Sequence, residues 1–248
     1  MKTKSIVAGI GLILSLANAG KAGLIAYWDY SSQSYGPAPA SIAASDGAQA
    51  GAASIDVSHF SANYDANIDV TCTTKNEIAG DNTEYALALK GGTGEDENGK
   101  SIIFSVSMTG DKNLVLTYAT ERSSTGFTGQ NWSYSTDGGA SYTPFAPISV
   151  PTTYATETVN FSSVPQINNS ASVLFELTVS GATGSAGSDH LDNIQFNADP
   201  IPVVPEPVES GTISALGLLG FCVWHELQQH RMFRRATHIW CISRFTSE

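Results

Sequence analysis

Apolar and polar side chains alternate with a period of two through most of the middle of the chain. In residues 101–108, Ile102, Phe104, Val106 and Met108 fall on one side and Ser105 and Ser107 on the other, the repeat of a half-buried strand. Residues 113–120 repeat the pattern with Leu114, Leu116 and Tyr118. In residues 171–180, Val173, Phe175, Leu177 and Val179 oppose Glu176 and Thr178. The same reading predicts strands over 25–30, 54–60, 67–72, 85–89 and 191–196, and a long loop rich in Ser, Ala, Pro and Gly over 31–51. Residues 132–145 predict a hairpin, Trp132-Ser133-Tyr134-Ser135, then a tight turn at Asp137-Gly138-Gly139, then Tyr142 and Phe145. No stretch of the core carries helical periodicity. Each one-sided apolar stripe needs a second layer to cover it, so about ten strands without intervening helices predict an all-β fold, an antiparallel β-sandwich of jelly-roll type.

The two ends break this pattern. Lys2 and Lys4 precede an apolar run over 6–16, and Ala17-Asn18-Ala19 supplies the small-x-small site that signal peptidase cuts, which predicts a signal peptide over 1–19. The sandwich is expected over 20–199. A Pro-rich linker follows over 200–210 and contains Val204-Pro205-Glu206-Pro207. Residues 211–235 predict a hydrophobic helix whose apolar part ends at Trp224, closed by a basic stop of Arg231, Arg234 and Arg235. The apolar run is short of the roughly twenty residues that span a bilayer comfortably. Residues 236–248 form a further extension.

The order Pro-Glu-Pro, apolar helix, basic stop resembles the PEP-CTERM sorting signal of exported proteins in Gram-negative bacteria that make extracellular polysaccharide. That resemblance implies recognition of Pro205-Glu206-Pro207 by an exosortase, a transient inner-membrane anchor, and delivery to the cell surface or extracellular matrix. Two features depart from the family pattern. Residues 225–230 delay the basic cluster, and the chain continues beyond it over 236–248. Trp28-Asp29-Tyr30, the Trp-Ser-Tyr-Ser hairpin and Leu191-Asp192-Asn193-Ile194 resemble the sandwich domains of other PEP-CTERM proteins and, more distantly, carbohydrate-binding jelly rolls. The latter resemblance implies a structural calcium on positions matching Asp29 and Asp192, with Asp189 nearby.

Charge and cysteine content narrow the chemistry. Between Gly20 and Val203 there are six Lys and Arg against nineteen Asp and Glu, a net of minus thirteen. Nucleic acid and anionic lipid require clustered Lys and Arg, so neither is an expected partner. Cys72 is the one cysteine of the core, so the fold is expected to stand on packing rather than on an internal disulfide. No Gly-x-Ser-x-Gly elbow surrounds a serine, and the core offers only His59 and His190 for Ser-His-Asp chemistry. An enzyme would show a concave pocket with two close acids, or a carboxylate–histidine pair. A glycan platform would use exposed coplanar rings, for which Trp132, Tyr134 and Tyr142 are the candidates. The leading expectation is a non-enzymatic surface or matrix protein. The alternative is a carbohydrate-binding module with extracellular polysaccharide as partner, and a glycan-active enzyme ranks below both.

Overall fold

The computed structural model describes residues 23–60, 65–81 and 84–203. The signal peptide with Ala17 and Ala19, the Val204–Pro207 motif, the apolar helix, the basic stop of Arg231, Arg234 and Arg235, and the extension over 236–248 lie outside the described residues.

Among the described residues, thirteen strands build two antiparallel sheets. The first sheet holds β1 (Gly23–Trp28), β2 (Gly36–Pro37), β5 (Ala66–Asp69), β6 (Ala86–Lys90), β8 (Asp111–Arg122), β11 (Ala155–Asn160) and β13 (Ser188–Pro200). Its order is β11-β8-β13-β6-β5-β2, with β1 paired to the C-terminal half of β13. The second sheet holds β3 (Ser41–Ala43), β4 (Ser54–Asp56), β7 (Ser101–Val106), β9 (Gly129–Ser135), β10 (Thr143–Ser149) and β12 (Val173–Ser180), in the order β10-β9-β12-β7-β4-β3. Three 3-10 turns, Thr93–Glu95, Phe161–Ser163 and Pro165–Ile167, are the helical elements among the described residues.

The alternating stripes form the core as their period requires. Phe104 of β7 lies 5.6 Å from Trp28 and 5.5 Å from Phe196, so one ring of the second sheet meets two of the first. Phe175 meets Phe196 at 5.4 Å and Phe161 at 4.9 Å, extending the aromatic layer along the sandwich. Edge strand β10 carries Pro144 and Pro147, which lack the N–H that a further strand would need.

Several local expectations change: the loop expected over 31–51 carries β2 and β3, and the strand expected over 54–60 ends at Asp56. The turn of the hairpin is not tight, because β9 and β10 are joined by residues 136–142. Asp137 closes that longer loop by accepting from Ser135 Oγ at 2.7 Å and Ser141 Oγ at 2.6 Å, while Gly138 and Gly139 take φ of 75° and 89°. The final strand runs from Ser188 rather than Leu191, so His190 lies within a strand and not in a loop before it. Strand β11 was invisible as a stripe, since its outward residues Thr156, Thr158 and Asn160 alternate with the mixed set Ala155, Glu157 and Val159.

Early entry into β13 decides the fate of Asp189. It sits between the sheets, fully buried, with Oδ2 accepting from Gln130 Nε2 at 3.3 Å. Gln130 Nε2 also donates to Thr120 Oγ1 at 3.1 Å, Tyr118 donates to Gln130 Oε1 at 2.8 Å, and Trp132 Nε1 donates to Tyr118 at 3.1 Å. Asp189 Oδ1 has no hydrogen-bond partner. Burial drives its carboxyl up to about 8, against the smaller opposing pull of Gln130, the Phe127 N–H and Arg122. Asp192 lies on the opposite face of the same strand, so Asp189 and Asp192 cannot share an ion.

Asp189 gives a pH signature of definite sign. The carboxyl titrates near 3.8 when unfolded and near 8 when folded, so between those values unfolding releases a proton. Stability is therefore expected to fall as pH rises through this window, by up to about 1.4 kcal/mol per pH unit for one proton. Urea midpoints across the window should show the decline in the wild type, and Asp189→Asn should lessen its slope, the part due to Asp192, whose carboxyl burial also raises, remaining. An unchanged slope in the variant would contradict the assignment.

Candidate functional site

The outer face of the first sheet is crossed by a strap, residues 70–81, and Asn193 ties it down. Asn193 is fully buried and adopts φ of 49°, where the pairing of β13 with β8 slips between Asp192 and Gln195. That slip turns a residue of the last strand toward the strap instead of into the ladder. Its Nδ2 donates to Thr73 O at 2.6 Å and Lys75 O at 3.0 Å, and its Oδ1 accepts from the Tyr27 hydroxyl at 2.6 Å. The Asn193 carbonyl accepts from Asn76 Nδ2 at 2.6 Å, and Gln195 donates to Asn76 O. Asp192 Oδ2 accepts from Thr73 N at 2.8 Å, and Tyr154 donates to Thr71 O at 2.7 Å. A one-strand expectation for 67–72 ends at Asp69 for this reason, because the chain leaves the sheet to form the strap.

Between the strap's far end and the first strand opens a groove of about 300 Å³ lined by Tyr27, Asp29, Ser31, Ser45, Asp46 and Asp81, among others. Asp29 is 6% exposed; its Oδ1 accepts from Ser31 N at 3.1 Å and its Oδ2 from Ser31 Oγ at 2.7 Å. Burial raises the Asp29 carboxyl, but hydrogen bonds with Asp81, Ser31 and Ser45 together hold it below its ordinary value. Asp81 thus lies within hydrogen-bonding reach of Asp29. Tyr27 also reaches Asp81, so the first strand, the strap and β13 meet at this point. Asp192 stands close behind. Burial lifts it to about 7, opposed by the Thr73 and Asn193 N–H groups and reinforced by Asp81 and Asp29. Six residues after Asp29, Tyr35 is 66% exposed in the connection from β1 to β2.

The calcium expectation is met only in part of its geometry. Asp29 and Asp192 do come to one edge, and Asp81 joins them, but Asp189 lies between the sheets. Among the described residues no group of three or more His, Cys, Asp or Glu is disposed to hold a metal ion. Asp189, held by Gln130 inside the sandwich, therefore drops out of the expected ligand set.

The aromatic platform is also corrected. Trp132 is 2% exposed, 5.3 Å from Phe104, with its N–H committed to Tyr118. Tyr134 is half-buried and packs on Phe145 and Phe161 at 6.3 Å each. Tyr142 is half-buried on the loop after β9. Strand alternation placed Trp132 and Tyr134 together correctly, but the face they share is the inner one.

Among the described residues, the candidate acids and histidines do not assemble the expected catalytic geometry. Asp29 and Asp81 lie within hydrogen-bonding reach of each other, closer than the ~5 Å of a retaining glycosidase pair or the wider inverting pair. His190 Nδ1 lies 3.9 Å from Glu121 Oε1 and makes no hydrogen bond. Burial lowers His190, with Asp69 opposing and Lys90 assisting. On the other sheet His59 Nδ1 meets Ser101 Oγ at 3.2 Å, and Ser101 and Ser133 donate to Glu176 at 2.9 Å each. There the serine stands between histidine and acid, whereas a triad needs the histidine in the middle.

Sequence reasoning missed Asp81, Tyr27 and Asn193 as one unit. The Asp-Asn pair was visible, but its partners Thr73, Lys75 and Asn76 lie about 120 positions away along the chain.

No family model matches the chain, and no curated protein matches it. Solved structures do. The K3 cleaved adhesin domain of Lys-gingipain from Porphyromonas gingivalis is 10% identical, with 71% of this chain and 99% of that one covered and a TM-score of 0.43. The CBM22-1 xylan-binding domain of Paenibacillus barcinonensis Xyn10C is 13% identical, covering 74% and 99%, with a TM-score of 0.37. A family 61 carbohydrate-binding module in complex with β-1,4-galactotriose is 11% identical, covering 53% and 81%, with a TM-score of 0.34. Likenesses at this level say nothing about ligand or activity.

Removing the Asn193 carboxamide leaves Thr73 O and Lys75 O without its donors and the Tyr27 hydroxyl with Asp81 alone. Asn193→Ala is expected to destabilise the protein by at least about 2 kcal/mol. Hydrogen exchange should speed up in residues 70–81 beyond the rest of the sheet. Uniform loosening of the whole domain would instead show that the strap has no separate tether.

Proposed function

We propose that this chain is an exported, non-catalytic glycan-binding module of jelly-roll type. The groove at the edge of the first sheet carries the reading. It brings hydroxyls of Ser31, Ser32, Ser45 and Tyr27 together with the carboxyls of Asp29, Asp46 and Asp81. These are the groups that hydrogen-bond vicinal diols; Ser31 and Ser45 spend their hydroxyl protons on Asp29 and on the Tyr27 carbonyl, so Asp46 and Ser32 are left to face a ligand. The exposed ring of Tyr35, on the same connection as Ser31 and Ser32, offers the flat apolar surface that a pyranose stacks on. The acidic surface favours neutral over anionic chains. The reading rests on the groove and not on the ligands of the structural neighbours.

Delivery belongs to the same proposal. Signal peptidase removes residues 1–19, and an exosortase acts at Pro205-Glu206-Pro207, so that the module reaches the cell surface or matrix polysaccharide. The Pro-Glu-Pro order and the basic stop support this route.

Titration of the full-length protein against a panel of neutral and acidic oligosaccharides is expected to find a neutral binder. Asp46→Ala and Tyr35→Ala should each weaken it about tenfold, or about 1.4 kcal/mol. Failure of every oligosaccharide to bind would overturn the glycan reading. For delivery, membrane fractionation with intact mass should show wild-type protein without its tail and Glu206→Ala retained in the inner membrane. Soluble, full-length product from both would overturn the sorting route.

A further inference from the structure

A second groove, of about 430 Å³, opens on the outer face of the first sheet and shares no residue with the edge groove. It is lined by Asn113, Val115, Asn160, Ser162, Asn197 and Asp199. The ladder explains why these meet. Val115 of β8 is opposite Asn160 of β11 on one side and Asn197 of β13 on the other, so the three form one row across adjacent strands. Neighbouring strands lie about 4.8 Å apart, which sets the two carboxamides roughly 10 Å from each other with Val115 as the floor between them.

These amides are held, and each keeps unused hydrogen-bonding groups. Asn113 adopts φ of 58°; its Nδ2 donates to Asp199 Oδ2 at 3.0 Å, and its backbone N–H donates to Asn168 Oδ1 at 3.1 Å. Asn160 Oδ1 accepts from Ser162 N at 3.0 Å at the start of a 3-10 turn, which orients its Nδ2 donors. Asn197 Nδ2 donates to Gln195 Oε1 at 3.4 Å. Among the described residues Asn113 Oδ1, Asn160 Nδ2, Asn197 Oδ1 and the Ser162 hydroxyl have no protein partner. A carboxamide presents a donor and an acceptor side by side, the pairing that a diol matches. The half-buried Val115 supplies an apolar patch of the size of a sugar's C–H face.

We infer that this amide-lined groove is a second ligand site, built for a neutral polyhydroxylated chain such as an oligosaccharide. Neutrality follows from the lining. Its one charge is Asp199, already bonded to Asn113, and no Lys or Arg lines it to hold an acid group. The inference stands on the array of amides and does not require the edge groove to bind.

The test is side-chain amide NMR of the full-length protein titrated with cello-, xylo- and mannohexaose. Binding here is expected to shift the Nδ2 signals of Asn113, Asn160 and Asn197. Asn160→Asp keeps the acceptor for Ser162 N but loses the donors, and it should weaken that binding about tenfold without lowering the melting temperature. If only backbone signals of Ser45, Asp46 and residues 79–81 shift, the second site is overturned while the edge-groove reading survives. If none of the three hexasaccharides shifts either set at millimolar concentration, the second site is overturned as well. An Asn160→Asp variant that binds as the wild type does would also overturn it.

Discussion

A carboxamide buried without exposure must find partners for both its donors and its acceptor, and at Asn193 that requirement organises the outer face of the domain. The sheet itself cannot satisfy Asn193, because the ladder has slipped there. Its partners come from the strap and from Tyr27, so the strap is drawn across β13 and the first strand is joined to both. The edge groove is the space left where the strap turns away beyond this junction. Its shape thus depends on one side chain that faces no ligand.

The same junction explains the behaviour of the acids. Asp29, Asp81 and Asp192 arrive from the first strand, the strap and the last strand, and close approach of three carboxyls is unfavourable unless charge is removed or neutralised. Here burial and mutual repulsion lift Asp192, while Asp29 and Asp81 share a hydrogen bond and Ser31 occupies both oxygens of Asp29. A cluster arranged in this way is structural at its centre. In the proposed glycan-binding reading, recognition falls to Asp46, Ser32 and Tyr35 on its rim, and in the further inference to the amides around Val115.

Two buried acids on β13 show how one strand can serve two environments. Asp189 ends a polar relay through Gln130, Tyr118 and Trp132 inside the sandwich, and Asp192 anchors the strap outside it. Only His190 and Leu191 separate them, and at that odd spacing the pleat sends them to opposite faces. The aromatic candidates failed for the complementary reason. Trp132 and Tyr134 share a face, as alternation requires, but alternation cannot say which face is covered.

The amino-acid sequence by itself determined the all-β class, the strands carrying Ile102 to Val106, Leu114 to Tyr118 and Val173 to Val179, and the Asp137-Gly138-Gly139 reversal. These rest on local periodicity and on turn chemistry, which act over a few residues. Only the tertiary structure decided that residues 70–81 form a strap, that Asp81 meets Asp29, that Asp189 is interior, and that Asn113, Asn160 and Asn197 line one groove. Those outcomes depend on strand order, on register and on a slip in one ladder. Contacts between residues tens of positions apart are fixed by how two sheets cover each other, and no local pattern records that choice.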